Sequence, residues 1–145
     1  MVNSVYAVID TNVIVSALIS RLSDASPLKV MGYLYSGYII PVWNDEILAE
    51  YKEVLSREKF HLNSFDIEEA LAVFTTLGLR IDKTPIANET FPDPKDIVFY
   101  EVKMSKEGAY LVTGNVKHFP KRPFVVTPRE MVEILEREIR GLQPE

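Results

Sequence analysis

Four side chains with oxygen atoms that can act as ligands stand near the predicted ends or faces of strands and helices: Asp10, Glu50, Asp96 and Asn115. Asp10 follows the apolar run Val5–Ile9, and Asn115 follows a second apolar run over residues 109–113. The carboxyl ends of parallel strands meet at one edge of a sheet, about 5 Å apart for neighbours, so Asp10 and Asn115 could share a ligand. The chain has no cysteine, so oxygen atoms or the two histidines must hold any metal.

Each of these side chains also has a purely structural interpretation. Asp10 could end a strand in a turn or cap the following helix. Asp96 lies three residues after Asp93 in a helix-capping pattern. Glu50 could be a solvated helix acid, and Asn115 could be a turn residue, because Asn tolerates positive φ. It is their combination that favours a shared site.

The histidines and the basic residues give weaker signals. His61 and His118 have no second histidine or acid at metal-ligand spacing, so we expect both at the surface. Lys117, His118, Lys121 and Arg122 form a basic cluster after the second apolar run. Such a cluster is usually a solvated loop, and it indicates binding only if a neighbouring site takes an anionic substrate.

The composition predicts one domain over residues 1–145. Of the 145 residues, 47% are hydrophobic, and a chain of this length buries roughly 70% of its unfolded surface. The formal net charge of −5 argues against binding nucleic acid by bulk charge alone, although bound cations or a local basic patch could serve an anionic substrate. No apolar run approaches the roughly 20 residues of a membrane span, so we expect a soluble, cytoplasmic protein without membrane contact.

Strand-like and helix-like segments alternate along the chain. Strands are predicted over residues 5–9, 38–43, 79–81, 109–113 and 124–126. Helices are predicted over about 11–20, 26–37, 44–59, 66–78, 94–106 and 127–141, with a loop over 83–94. Long crossovers between continuous apolar strands indicate parallel pairing. The sequence therefore predicts an α/β fold of three layers, α/β/α, with helices on both faces of a central parallel sheet.

Individual residues refine these boundaries. Asn44 and Asp66 are predicted to cap the helices that follow them, and Thr11 or Asn12 is predicted to cap the first helix. Pro41 lies inside the second predicted strand. Because proline lacks the N–H that a sheet ladder needs, we expect this strand at a sheet edge or with a bulge.

The four oxygen-bearing residues occur inside short motifs that follow one another along the chain. The motifs are Val8-Ile9-Asp10-Thr11-Asn12 with Ser16, Ile47-Leu48-Ala49-Glu50-Tyr51, Asp93-Pro94-Lys95-Asp96, Val112-Thr113-Gly114-Asn115 with His118-Phe119, and the closing Val126-Thr127-Pro128. In this order and spacing they resemble the PIN domain family, of which VapC-like toxins are members. The resemblance covers nearly the whole chain.

The resemblance implies a PIN-like α/β fold with an acidic pocket that binds Mg²⁺ or Mn²⁺ and cleaves RNA. The catalytic metal ligands that it implies are Asp10, Glu50, Asp96 and Asn115, and Asn12 and Thr113 would support them by hydrogen bonds. Asn115 stands where many relatives have a further acid. Its amide oxygen can bind a metal but adds no negative charge, so a second cation should bind more weakly than in a four-acid site.

The charges of the chain agree with this implied site. Converging carboxylates raise one another's pKa unless a cation compensates them, and oxygen ligands suit a hard ion rather than zinc or copper. Bound cations also let an acidic protein approach RNA, with Lys117, Lys121 and Arg122 as candidate contacts to the RNA backbone. The resemblance further implies a homodimer and an antitoxin protein as partner.

Two other functions are compatible with the residues. Because Asn115 replaces an acid, the chain could be a PIN fold with a weakened site that acts as a binding module for RNA or protein. A phosphatase with an aspartyl nucleophile is disfavoured, since the second acid that it needs two residues after Asp10 is Asn12. Our prediction is a metal-dependent endoribonuclease, the toxin of a toxin and antitoxin pair.

Overall fold

A parallel sheet of five strands, flanked by helices, forms the centre of the computed structural model, which describes residues 4–20 and 22–141. The strands are β1 (Val5–Ile9), β2 (Ile39–Trp43), β3 (Leu79–Arg80), β4 (Tyr110–Val112) and β5 (Val125–Val126). The helices are α1 (Thr11–Ile19), α2 (Ser26–Tyr35), α3 (Asp45–Leu55), α4 (Ser64–Leu77), α5 (Ile97–Met104) and α6 (Pro128–Gly141). The predicted α/β class and central parallel sheet are confirmed.

The first strand of the chain is the middle strand of the sheet, whose order is β3-β2-β1-β4-β5. Ala7, Val8 and Ile9 are fully buried, as the continuous apolar sequence of β1 predicts. Ala7 pairs with β2 on one side and with β4 on the other. Because β1 and β4 are parallel neighbours, the residues that follow them lie at the same edge of the sheet.

Pro41 lies in an interior strand, which corrects the expectation of an edge strand or a bulge. β3 pairs only with Val42 and Trp43, so no strand lies beside Pro41 on that side. The N–H of Ile81 donates to the carbonyl of Trp43 at 2.8 Å. Alternate residues of a strand face the same neighbour, so the nitrogen of Pro41 also faces the β3 side, where no ladder bond is lost.

The ends of α3 and α4 differ from the sequence expectation. The side chain of Asn44 caps α3 as predicted, but the helix ends at Leu55 and not near residue 59. Residues 56–59 are all polar, so a further turn would have no apolar face to bury. The cap of α4 is Asn63 and not Asp66, whose backbone N–H donates to the Asn63 side chain at 2.8 Å. No helix within residues 4–20 and 22–141 is long and apolar enough to cross a membrane.

A buried aromatic group fixes α3 to the middle strand. Tyr51 is fully buried, and its ring centroid lies 5.0 Å from that of Phe74 on α4 and 6.3 Å from that of Phe99 on α5. Its hydroxyl donates to the carbonyl of Ile9, the last residue of β1. Because Glu50 precedes Tyr51, this contact holds the acid near the carboxyl end of β1.

Candidate functional site

Asp10 follows β1 and occupies the N-cap position of α1, but its side chain does not cap that helix. Its Oδ2 atom accepts hydrogen bonds from Thr113 Oγ1 at 2.8 Å and from Asn12 Nδ2 at 3.1 Å. Thr11 is the first residue of α1 and Asn12 the second, so neither is the cap that the sequence predicted. The Asp10 carboxylate, 6% exposed, is therefore held against the end of β4.

The segments after β1 and β4 are joined by further hydrogen bonds. The N–H of Gly114 donates to Asn12 Oδ1 at 3.0 Å, and the N–H of Asn115 donates to Thr113 Oγ1 at 3.0 Å. A Cβ atom at Gly114 would lie 3.3 Å from Asn12 Oδ1, closer than side chains normally pack. The lack of a side chain at Gly114 thus permits its close contact with Asn12. The two backbone N–H groups fix the orientation of the Asn12 amide and the Thr113 hydroxyl, which both donate to Asp10.

Glu50 lies on α3 and is held by a residue that the sequence analysis did not select. The hydroxyl of Thr11, which is 5% exposed, donates to Glu50 Oε2. The position of Thr11 beside Asp10 already placed its hydroxyl at the same edge of the sheet. Its bond to Glu50 could not be predicted, however, because the sequence does not show that α3 packs against this edge.

Asp96 reaches the same region from the start of α5. It ends a 3-10 helix, Pro94–Asp96, in which the Asp93 side chain accepts a hydrogen bond from the N–H of Lys95 at 3.0 Å. Asp96 Oδ2 is buried and accepts no hydrogen bond in the described part of the chain. His118 Nδ1 lies 3.3 Å from this oxygen, and this proximity lowers the pKa of Asp96. His118 is exposed, as expected, but its contact with Asp96 was not predicted from the sequence.

Each of the three acids has a raised pKa, mainly because it is buried and to a lesser extent because of another acid of the three. Burial raises the pKa of Asp10 to about 6, with a further rise from Asp96, against hydrogen bonds led by Thr113 that lower it. Burial raises the pKa of Glu50, and Asp10 adds to the shift. Burial raises the pKa of Asp96, and Asp93 and Glu50 add to it, while His118 lowers it. We call Asp10, Glu50 and Asp96 the acidic site.

The acidic site suits a hard divalent cation by the chemistry of its donors. All three groups are carboxylates, and Asp96 Oδ2 is a buried acceptor without a hydrogen bond among residues 4–20 and 22–141. Within those residues no three acidic or histidine side chains already stand at distances that would hold one ion. Mg²⁺ is usually bound through one or two carboxylates and retains several waters, so it does not require three protein ligands at chelating distance.

Asn115 lies after β4 as predicted, and within residues 4–20 and 22–141 its side chain forms no hydrogen bond with the three acids. The residue is exposed and precedes the 3-10 helix Val116–His118. Only its backbone N–H takes part in the hydrogen bonds described above. In the described part of the chain its amide group has no hydrogen bond.

The three basic residues line a pocket beside the same 3-10 helix. Lys117, Lys121 and Arg122 are exposed and belong to the lining of a cavity of about 640 Å³, which we call the basic pocket. The 3-10 helix therefore supplies His118 to the acidic site and Lys117 to the basic pocket. Arg122 Nη2 also lies 3.4 Å from Glu89 Oε2, so part of its charge is already compensated.

Comparison with known proteins gives one match. The family model described as PIN domain matches residues 6–117. The matched segment contains the three acids, their hydrogen-bond donors and Asn115, but it ends before Lys121 and Arg122. No curated protein and no solved structure gave a significant match.

Proposed function

We propose, since this chain belongs to the PIN domain family, that it is an endoribonuclease that depends on Mg²⁺ or Mn²⁺ and hydrolyses RNA phosphodiester bonds. PIN domains are generally metal-dependent nucleases that act on nucleic acids. The choice of RNA as substrate and of endonucleolytic cleavage rests on the resemblance of the motifs to those of VapC-like toxins. It is tested below on purified protein.

The observation that carries this proposal is the gathering of carboxylates from positions 10, 50 and 96. Each of the three has a raised pKa, and a neighbouring acid of the same group contributes to each shift. Such an arrangement destabilises the folded chain unless a cation compensates the charge. Clusters of acids with mutually raised pKa are therefore typical of functional sites rather than of structural ones.

In this proposal Asp10, Glu50 and Asp96 hold the cation, and the Asn115 amide contributes at most a neutral ligand. When bound, the divalent ion polarises the phosphoryl group and lowers the pKa of an attacking water. Thr113 and Asn12 donate to Asp10 Oδ2 and fix the carboxylate, whose other oxygen would be the one to bind a cation. The Thr11 hydroxyl does the same for Glu50.

The direct test is cleavage of a fluorescently labelled RNA of mixed sequence in Mg²⁺, in Mn²⁺ and in EDTA. We expect cleavage with either ion and none in EDTA. Asp96→Asn should lower the rate at least about 100-fold, since metal stabilisation of the transition state amounts to several kcal/mol. Asp24→Asn, in an exposed turn, is the matched control and should leave the rate unchanged. Cleavage in EDTA, or equal rates for Asp96→Asn and the wild type, would contradict the mechanism.

A second candidate is a PIN fold that binds RNA or protein without cleaving. It is favoured by the uncharged Asn115 and by the absence, within residues 4–20 and 22–141, of three acids at chelating distance. Titration calorimetry with Mn²⁺ separates the two functions. A nuclease should bind the ion in the wild type and lose that binding in Asp10→Asn, whereas a binding module could retain RNA without binding the ion.

The cellular role that we propose is that of the toxin in a toxin and antitoxin pair, active in the cytoplasm as a homodimer. Its support is the likeness of the motifs to VapC-like toxins. Induced expression in a bacterial culture should arrest growth, and Asp10→Asn should abolish the arrest at equal protein level. Growth arrest that is equally strong with Asp10→Asn would contradict this role.

A further inference from the structure

The basic pocket combines cationic side chains with an apolar wall. Its cations are Lys117, Lys121 and Arg122, and its wall includes Val116, Pro120, Pro123 and Val125. The volume of about 640 Å³ lies within the range of about 300–1,000 Å³ for pockets that hold small organic ligands. A ligand of this pocket should therefore carry both an anionic group and an apolar, flat or compact group.

The charges of the lining favour an anion at one side of the pocket. Neither Lys117 nor Lys121 forms an ion pair within residues 4–20 and 22–141, whereas Arg122 shares its charge with Glu89. The lining also includes the exposed acid Glu130, whose Oε1 accepts a hydrogen bond from the N–H of Thr127 at 2.9 Å. A phosphate should therefore bind at the two lysines, and an uncharged group should face Glu130.

The pocket is built on a segment with a defined conformation. Phe119 is 6% exposed, and its ring centroid lies 6.3 Å from that of Phe91. The N–H of Val125 donates to the carbonyl of Arg122 at 3.0 Å. Pro120 and Pro123 fix φ on either side of Lys121 and Arg122. A ligand thus meets a largely preformed wall and loses little free energy in ordering it.

The pocket also lies next to the acidic site. The 3-10 helix Val116–His118 contributes its first two residues to the pocket, and Nδ1 of its third residue lies 3.3 Å from Asp96 Oδ2. Three residues at a rise of about 2 Å each span about 6 Å. One nucleotide step of a strand is about 3.4 Å along a duplex axis and longer when unstacked, so the length of this helix is comparable to one or two nucleotide steps.

We propose that the basic pocket is a subsite for one unpaired nucleotide of a single-stranded RNA, beside the phosphodiester bond that is cleaved at the acidic site. This inference rests on the proposed nuclease function. The phosphate of that nucleotide lies at Lys117 and Lys121, and its base packs on Val116 and the prolines. A duplex would not bind in this way, because its bases are stacked and cannot enter a walled pocket.

Binding in EDTA tests the subsite without cleavage. The probes are a labelled single-stranded RNA of mixed sequence and the same RNA annealed to its complement, measured by fluorescence anisotropy at several salt concentrations. Lys117→Ala/Lys121→Ala should weaken binding of the single strand about tenfold and reduce the salt slope by about 0.7, since the one phosphate placed at the two lysines contributes about 0.7. The matched control is Lys29→Ala/Lys83→Ala, which removes the same charge from exposed positions elsewhere. Equal losses in both double variants would overturn the proposal in favour of bulk charge.

A pocket-filling variant separates the base from the phosphate. Val116 is 37% exposed, so Val116→Trp should fold, which circular dichroism can verify. It should weaken single-strand binding severalfold with no change in the salt slope. Unchanged affinity would overturn the assignment of a base to this pocket, and duplex binding as tight as single-strand binding would do the same.

Two further arms identify the ligand class and separate this proposal from the nuclease function. A polyglutamate peptide could bind the wild type as tightly as RNA does and lose that binding in Lys117→Ala/Lys121→Ala. This result would overturn the RNA assignment in favour of an acidic protein partner. Cleavage is scored separately in Mn²⁺. If the wild type never cleaves RNA, the nuclease function fails, while the anisotropy data still decide whether the pocket holds a nucleotide. If it cleaves and Lys117→Ala/Lys121→Ala has wild-type affinity, only the subsite fails.

Discussion

The acidic site and the basic pocket are neighbours, but the chain builds them in opposite ways. The acids come from positions 10, 50 and 96, on three different elements, and they are wholly or partly buried. The cations come from one segment, residues 117–122, and they are exposed. Hydrogen bonds from Thr11, Asn12 and Thr113 hold Asp10 and Glu50, whereas no hydrogen bond within residues 4–20 and 22–141 holds the lysine side chains.

This difference follows from what each region must do with charge. Like charges that are brought together in a partly buried place destabilise the fold, so they persist only where surrounding donors fix them. Exposed lysines on a loop are screened by salt and need no such support. The acidic site should therefore respond to substitution with large effects on both stability and activity, and the basic pocket with small effects on stability.

The largest effect is expected from Asp10→Asn. Loss of this carboxylate should lower cleavage on the order of 1,000-fold, because it removes charge that holds the metal. Without divalent ions, the variant should be at least as stable as the wild type at pH 7, since burial raises the pKa of Asp10 to about 6 and the charged form is disfavoured. Cleavage rates and urea unfolding measure the two effects.

Asp24→Asn is the matched control for Asp10→Asn, with no change expected in either measurement. A large loss of stability in Asp10→Asn would mean that Asp10 acts as a structural hydrogen-bond acceptor. In that case the charge of the acidic site would not lower the stability of the folded chain, and the proposed contrast with the basic pocket, whose charges have little effect on stability, would fail.

Stability against pH gives the next largest effect. Between the unfolded value near 4 and the folded pKa of about 6, the folded chain keeps a proton on Asp10 that the unfolded chain has released. Stability without divalent ions should therefore fall as pH rises through this window, by about 3 kcal/mol at most, since one pKa unit corresponds to about 1.4 kcal/mol. The raised pKa values of Glu50 and Asp96 act in the same direction.

Thermal or urea unfolding between pH 4 and pH 7 measures this fall, with and without Mn²⁺. The ion should restore stability above pH 6, because it binds the folded chain with its carboxylates ionised. Asp10→Asn should lack the part of the fall that Asp10 causes. A wild-type protein whose stability rises through this window would contradict the electrostatic account of the acidic site.

The sequence was informative where one strand or one short motif decides the outcome. The apolar run of β1, the parallel pairing and the position of Asp10 after a buried strand follow from the residues alone. The contact of Thr11 with Glu50 and the contact of His118 with Asp96 do not, because each depends on how separate elements pack. The basic segment could be identified in the sequence, but the pocket that it lines could not.

Thr113→Val tests the hydrogen bonds that hold Asp10, and we expect an effect of intermediate size. The variant keeps the shape of a fully buried side chain but loses the hydrogen bond to Asp10 and the acceptor for the N–H of Asn115. We expect a loss of about 1–3 kcal/mol in the free energy of unfolding, the usual cost of unsatisfied buried polar groups. Urea unfolding measures it.

Thr75→Val is the matched control for Thr113→Val. Its hydroxyl donates to a carbonyl one turn back on the exposed surface of α4, so its loss should change stability by less than about 0.5 kcal/mol. The pKa of Asp10 should rise further in Thr113→Val, because the hydroxyl lowers it in the wild type. Equal stability losses at the two threonines would show that the acidic site has no special support.

The smallest effect is expected at His118, which stands between the two regions. His118 lowers the pKa of Asp96, and its side chain is 47% exposed. His118→Gln should raise that pKa and move the acidic limb of the cleavage profile to higher pH, with less than about a tenfold change in rate at neutral pH, because a half-exposed charge contact contributes about 1 kcal/mol or less. The matched control is His61→Asn, since Asn tolerates the left-handed φ of 52° at that position. The contrary outcome is that His118→Gln weakens binding of single-stranded RNA in EDTA while the pH profile of cleavage does not move. His118 would then act with the basic pocket and not with the acidic site, so all three residues of the Val116–His118 helix would belong to the pocket.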